Sequence, residues 1–470
     1  MEVTAVGPFF GTGSRRECWE YVCPFLFGSV LGLAALVAVS TGVLALGGGK
    51  PVGKVLDDSA MLRWIDAAFP FLFDLYKDLH TRPELSFRET ETAARLASEL
   101  RKAGLEVTEG IGKTGVVALL RNGDGPVIMV RTDMDALPVT EATELPYASK
   151  VTTKDEDGSS VGVMHACGHD VHMASLVGTA RLLAELRSTW RGTVMFVCQP
   201  AEERVGGAEA MLKDGLFERF EKPKYALALH CDATLEAGRV GFTPGYILAN
   251  VDSVDITVRG RGGHGSQPNN TIDPVTIACR LVLDLQTIIS REKSPTEPGV
   301  ITVGSIHGGT KHNIIPDEVK LQITVRSYSD ETRRLLLESI ENKALAASAS
   351  ARAPRPTITV SDSTPSTYND PQLTERVAEV ARKLLGAERV LRPEPRMGGE
   401  DFSQYGRAGV PICMFWLGTI PASRIEASQK GTPLPSLHSS RFQPDPEPAL
   451  KTGVRTMTSL VLDLLEAPTQ

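Results

Sequence analysis

The sequence has no C-x-x-C pair among its seven cysteines, and seven is an odd number. Neither a disulfide framework nor a zinc ribbon is suggested. It has no basic surplus either. Fifty Lys and Arg against 57 Asp and Glu leave a formal net charge of −7, which gives no ground for a nucleic-acid partner. No internal repeat or low-complexity tract is present beyond a short Ala/Ser run at 344–352, read as the end of a helix. The tail LLEAPTQ carries no ER-retention signal. Charge is missing altogether from Tyr21 to Gly49, and residues 24–47 are almost wholly apolar. That is long enough to span a bilayer, and Arg15 and Arg16 before it favour an N-terminus in the cytoplasm with the rest outside. Residues 1–57 are therefore expected to be a leader with an anchor or a signal segment, followed by a linker. The expectation is a chain attached to the membrane or exported, with its main body outside the cytoplasm. A buried helix is the alternative.

The remainder has the composition of a globular protein, with 42% hydrophobic and 23% charged residues in 470. That length exceeds one hydrophobic core, so two domains are expected. From 58 to 249 helical and strand patterns alternate, and the strands GVVALL, PVIMVRT, GTVMFVCQ and YALALH are continuously apolar. Such strands belong to an α/β sheet covered on both faces. From 250 to 362 the order becomes β-α-β-β-α-β, that of a ferredoxin-like unit. The helix–strand pattern resumes over 363–470. The expected architecture is an α/β catalytic domain with a mixed sheet flanked by helices, interrupted by an inserted α+β domain.

Three of the nine histidines fall in MHACGHDVHMA at 164–174, with a cysteine and an aspartate. PVIMVRT runs into Asp133 and Asp135, GTVMFVCQ into Glu202 and Glu203, and YALALH ends on His230. In an open α/β sheet ligands gather beyond the carboxyl ends of the strands, so these side chains would surround one crevice. Thiolate, imidazole and carboxylate together suit zinc, or manganese and cobalt where oxygen ligands dominate. One of two adjacent glutamates can bind metal while the other acts as general base on an attacking water. Cys167, just before a helix, would feel its N-terminus, which favours thiolate. A cysteine nucleophile with His169 as base is the rival, but it leaves Glu202, Glu203 and His230 without a task. Cys198, Cys279 and Cys413 read as small buried hydrophobes. Spacing alone does not choose among His165, His169 and His172.

DMDALP (133–138), MHACGHDVHMA, QPAEE (199–203), GGHGSQP (262–268), HNIIP (312–316), MGGEDF (397–402) and LHSSRF (437–442) stand in this order. This series resembles the M20 metallopeptidase-like amidohydrolases over about residues 70–465. The likeness is greatest to the branch of hippurate hydrolases, N-acyl-amino-acid amidohydrolases and plant auxin-conjugate hydrolases. The resemblance implies an inserted lid or dimerisation domain, a homodimer formed through it, and two divalent metal ions, manganese, zinc or cobalt. It implies Cys167 as a bridging thiolate, with His169, Glu203, His230 and His438 as the other ligands. Glu202 becomes the general base, and His264, often contributed by a partner subunit, approaches the reacting carbonyl. Asn313 and Arg326 hold the substrate, with Arg326 as a clamp for its carboxylate. Asp133 supports a ligand from behind. The implied reaction is cleavage of an N-acyl amino acid by a metal-activated water. A dipeptidase or carboxypeptidase of the same fold and an inactive membrane-tethered binding module are the other readings. Ala233, Asn269 and Ser439–Ser440 depart from the family pattern, which bears on substrate preference more than on chemistry.

Overall fold

The computed structural model describes residues 58–154 and 158–466. An eight-stranded mixed sheet forms the larger layer. Its order is Glu106–Ile111, Gly115–Asn122, Gly192–Gln199, Val127–Asp133, Tyr225–Glu236, Ile412–Ile420, Val240–Gly241 and Val390–Leu391. The four strands from Gly192–Gln199 to Ile412–Ile420 run parallel. Alternate residues of each strand enter different cores. Ile128, Val130, Val194 and Phe196 pack on one face, and Val127, Met129, Met195 and Val197 on the other. Side chains alternate across a strand, so burial of both faces requires an unbroken apolar run.

Helices Asp58–Thr81, His169–Glu185 and Pro446–Leu465 pack against one another on the first face. The middle one is buried nearly all round. Gly178 permits the close approach, since a Cβ there would come within 2.5 Å of Val454 and 3.1 Å of Leu72. Helix Asp58–Thr81 buries Met61, Ile65, Leu72, Tyr76 and Leu79 at helical spacing and carries Pro70 in its interior. Pro70 removes one backbone hydrogen bond, a loss that this packing offsets.

A second sheet lies between residues 250 and 364. Its antiparallel order is Gly299–His307, Glu318–Ser327, Asn250–Arg259, Thr357–Thr364, with helices Pro274–Thr287 and Asp330–Ser350 on one face. The connectivity is ferredoxin-like. Asp273 and Ser329 start the two helices by accepting hydrogen bonds from Val275 and Thr332 backbone N–H groups.

Two expectations require correction. Membrane anchoring or export rested on residues 24–47, which lie outside the described residues. Among the described residues no helix is long and apolar enough to cross a membrane, so the placement outside the cytoplasm is withdrawn. Cys198 and Cys413 are buried as expected, but Cys279 is exposed, because it sits on the outer face of helix Pro274–Thr287.

Candidate active site

The site forms where two neighbouring strands part. Val127–Asp133 pairs with Tyr225–Glu236 only as far as Arg131 opposite Ala228. Beyond that register one strand delivers Asp133 while the other continues through His230 to Glu236. His230 therefore lies within its strand rather than at its end. It faces Trp416 of the next strand, edge to face at 5.5 Å between ring centroids. This parting of strands is where an open α/β sheet binds ligands.

Helix His169–Glu185 begins at the same place. Its first turn follows Gly168, whose φ of 82° suits glycine. A Cβ on Gly168 would also lie 2.8 Å from the Cys231 sulfur. His169 and His172, three apart, share a face of the helix. Their hydrogen bonds separate their roles. His169 Nδ1 donates to the Asp135 carbonyl at 2.7 Å, while its buried Nε2 has no partner. His172 has both nitrogens engaged. Its Nδ1 donates to Asp133 at 2.7 Å, and its Nε2 accepts the Cys231 N–H at 2.8 Å. His230 Nδ1 donates to the Cys231 carbonyl at 2.8 Å, which turns Nε2 toward Cys167 Sγ, 3.6 Å away.

Glu202 and Glu203 sit on a single turn between Ala201 and Val205, both in left-handed backbone conformations (φ 49° and 47°). For a β-branched valine this is strained, and the strain must be held by surrounding bonds. Asp135 supplies two of them, accepting the Glu202 N–H at 3.1 Å and the Glu203 N–H at 3.0 Å. Glu89 supplies another by accepting the Ala201 N–H at 2.8 Å. His438 is also left-handed (φ 65°), anchored by its N–H to the Ala166 carbonyl at 2.9 Å. Its Nε2 lies 3.5 Å from Glu203 Oε2.

The donor atoms form two groups that share one residue. Cys167, His169 and His230 lie within 4.8 Å of one another, and so do Cys167, Glu203 and His438. A shared sulfur between two three-donor groups fits a bridged pair of cations. The buried His169 Nε2 and Glu203 Oε1, 3.8 Å apart and each without a hydrogen bond, fit the same reading, since such atoms are costly unless something occupies them.

Electrostatics agree. Burial drives the Cys167 thiol well above its ordinary value, and Glu203, Glu202 and Asp133 push the same way. The expected thiolate at a helix N-terminus is thus outweighed, and a cation is needed to form it. This also counts against a free cysteine nucleophile. Burial raises Glu203 to about 8 although His169 pulls it down. Burial alone would lower His169, but Asp133, Asp135 and Glu203 raise it to about 10. Carboxylates that so favour a proton on His169 would favour a metal cation in its place. Glu202 is raised by burial and then by Glu400, Glu203 and Asp401, with Arg131 opposing.

Beneath the ligands lies a fully buried guanidinium. Arg131 bonds Asp133 at 2.8 Å, Glu400 at 2.8 Å, Asp401 at 3.2 Å and Gln199 at 3.0 Å. Asp133 is thereby held between Arg131 and His172, behind the ligands. The cleft above holds about 1110 Å³. Arg326 lines its wall, half-buried, its Nε bonded to Thr324 and an Nη to the Met397 carbonyl. Burial lowers its pKa, with Asp252 partly opposing, and no carboxylate forms an ion pair with it among the described residues.

Seven expected residues thus meet around the cleft or directly beneath it: Asp133, Cys167, His169, Glu202, Glu203, His230 and His438. Arg326 joins them from the second sheet. His264 and Asn313 do not. They are exposed neighbours on the small ribbon pairing Gly263–His264 with Ile314–Ile315, and neither lines the cleft in this chain. Asp135, expected at the crevice, holds the Glu202 and Glu203 N–H groups, while Arg131 and Glu89 were not anticipated. Asp135 stands in the DMDALP motif, and that was its signal.

Residues 129–463 match peptidase family M20/M25/M40. The chain is 39% identical over 326 residues to a hippurate hydrolase of Campylobacter jejuni, covering 69% of this chain and 82% of that one. It is 37% identical over 352 residues to an N-acetylcysteine deacetylase of Bacillus subtilis, covering 74% and 88%. A solved dinuclear metal-binding peptidase of family M20 from Bacillus subtilis superposes with a TM-score of 0.69 at 32% identity, over 85% of this chain and 99% of that one. The chain has donor groups that could hold two divalent metal ions, and it is a metal-dependent amidohydrolase or peptidase. Its sheet, its shared-cysteine donor set and its sequence thus agree, and the chain belongs to peptidase family M20/M25/M40.

Proposed function

We propose that the enzyme hydrolyses the amide bond of N-acyl amino acids, releasing a carboxylic acid and a free amino acid. The observation that carries this reading is Arg326. A half-buried guanidinium that forms no ion pair among the described residues faces the cleft that holds Glu202 and the donor set, and it suits the free carboxylate of an amino acid. Hydrolysis of N-acetylcysteine and of hippurate, named for two relatives, is consistent with it.

Cys167, His169, His230, Glu203 and His438 would hold the two cations, with Cys167 common to both donor groups. When bound, the two cations supply Lewis acidity toward a carbonyl oxygen and toward water. Glu202 takes the proton of the attacking water and returns it to the leaving nitrogen. Burial and nearby carboxylates raise its proton affinity, which suits the second half of that task. Asp133 holds His172 and Arg131 behind the ligands. Arg326 and Asn313 orient the substrate. His264 donates to the developing oxyanion. Its exposed position, away from this chain's cleft, favours delivery by a second copy, with the second sheet as lid and dimerisation domain.

The test is release of free amino acid from a panel of N-acyl amino acids and dipeptides by the full-length chain. It is run after chelation and again after adding manganese, zinc or cobalt. Metal-restored cleavage of the N-acyl series is expected. Cleavage of dipeptides alone would favour the dipeptidase reading, and activity indifferent to the chelator would return attention to Cys167 as nucleophile.

A further inference from the structure

A second buried polar cluster lies behind the ligands, and the mechanism above leaves it without a task. His80 is the last-turn cation of helix Asp58–Thr81 and is only 1% exposed. Its Nδ1 lies 2.6 Å from Asp170 Oδ2 and its Nε2 3.1 Å from Glu141 Oε1. Both partners are carboxylates, which only accept, so both ring nitrogens carry hydrogen and the ring is charged. The helix C-terminus favours the same charge. Tyr76 and Tyr147 flank the ring at 5.6 and 5.5 Å between centroids.

Each carboxylate leads to a different metal ligand. Asp170 directly follows His169, and its other oxygen accepts the Val171 N–H at 2.9 Å, inside the first turn of that helix. Glu141 belongs to the loop that holds the other side. It accepts the Ser149 N–H at 2.6 Å, and the neighbouring Ala142 N–H donates to the Ser440 carbonyl at 2.8 Å, two residues past His438. His438 stands in a left-handed conformation on a surface loop, so its position depends on such outside bonds.

We propose that His80 is a positioning residue for the two-ion centre: clamped between Asp170 and Glu141, it fixes the loop bearing His438 against the helix start bearing His169. This rests on the ligand assignment above. The ion held in the Cys167–Glu203–His438 group depends on the clamp. The ion in the Cys167–His169–His230 group is also secured by the Asp135 carbonyl on His169 and the Cys231 carbonyl on His230. Loss of the clamp separates the two affinities.

The experiment titrates manganese(II) alone into chelated full-length protein and counts equivalents by equilibrium dialysis, with the melting curve recorded alongside. Wild type should bind two equivalents. His80→Gln should keep the first as tightly and bind the second about 10- to 100-fold more weakly, the usual effect of losing a group that supports a ligand. Two equivalents bound as in wild type would overturn the role. Equal weakening of both would also overturn it, because a merely structural residue acts on the whole fold. If His80→Gln does not fold, Glu141→Gln is read by the same two measurements, with the same split expected and an unchanged second equivalent counting against the clamp. Fewer than two equivalents in wild type would dispose of the two-ion centre itself, and the role with it.

Discussion

Glu202 and Glu203 are chemically identical neighbours placed in different surroundings. Glu203 faces His169 and His438, at 3.8 and 3.5 Å. Glu202 lies against the buried Glu400 and Asp401, whose charge raises its affinity for a proton. One is thus suited to a cation and the other to a travelling proton. Glu202→Gln should lower kcat by about 10²- to 10⁴-fold, the usual worth of a positioned general base, with two ions still bound. Activity near wild type in a variant of normal metal content would remove Glu202 from the mechanism. The pair was legible in QPAEE because acidic residues after an apolar strand have few structural reasons to be there. The choice among the three histidines was not. It depends on which ring nitrogens are already engaged, and the partners of His172, Asp133 and the Cys231 N–H, are brought to it only by the strand register. His165 is buried with neither ring nitrogen in a hydrogen bond.

At the scale of elements, the continuous strands were the most legible feature, since burial on both faces leaves a run of apolar residues with no ambiguity of phase. Helix Asp58–Thr81 was not read. Its interior Pro70 argues locally against a helix, and only packing on helices His169–Glu185 and Pro446–Leu465 overrides that. That helix gives the fold a pH dependence through its last turn. Facing His80 are Asp170, Glu141, His165, Tyr76 and Tyr147. Burial alone would lower His80, but Asp170 and Glu141 raise it from 6.5 to about 10. A raised folded value means stability fully present below about pH 6.5 and lost as pH climbs toward about 10. Asp170 and Glu141, held below their ordinary values, contribute stability that is lost in acid. Thermal melting of chelated protein should therefore show wild type exceeding His80→Gln by more at pH 6 than at pH 9.5. A gap that stayed constant or widened with pH would mean that His80 is not held as a cation.

At the scale of the whole molecule, a single chain carries the donor set, the base and the Arg326 wall, yet leaves His264 and Asn313 outside the cleft. GGHGSQP and HNIIP were legible as motifs, and their mutual pairing follows from the ribbon. Their distance from the chemistry is set by the tertiary placement of the ribbon, which the motifs alone do not fix. Exposed apolar side chains on the second sheet and its helices, Leu283, Ile306 and Val360, give a second copy something to bury. If His264 works in trans within a two-fold dimer, catalytic sites are shared. A Glu202→Gln chain and a His264→Ala chain, each nearly inactive alone, then complement each other. In a randomly reassorted mixture half the dimers are mixed, and each mixed dimer has one site with both residues intact, so about a quarter of wild-type activity should return. The measurement is the specific activity of the two variants after partial unfolding and refolding together, against each refolded alone. No recovery from a mixture shown to contain mixed dimers would place His264 at the cleft of its own chain after a closing motion of the second sheet.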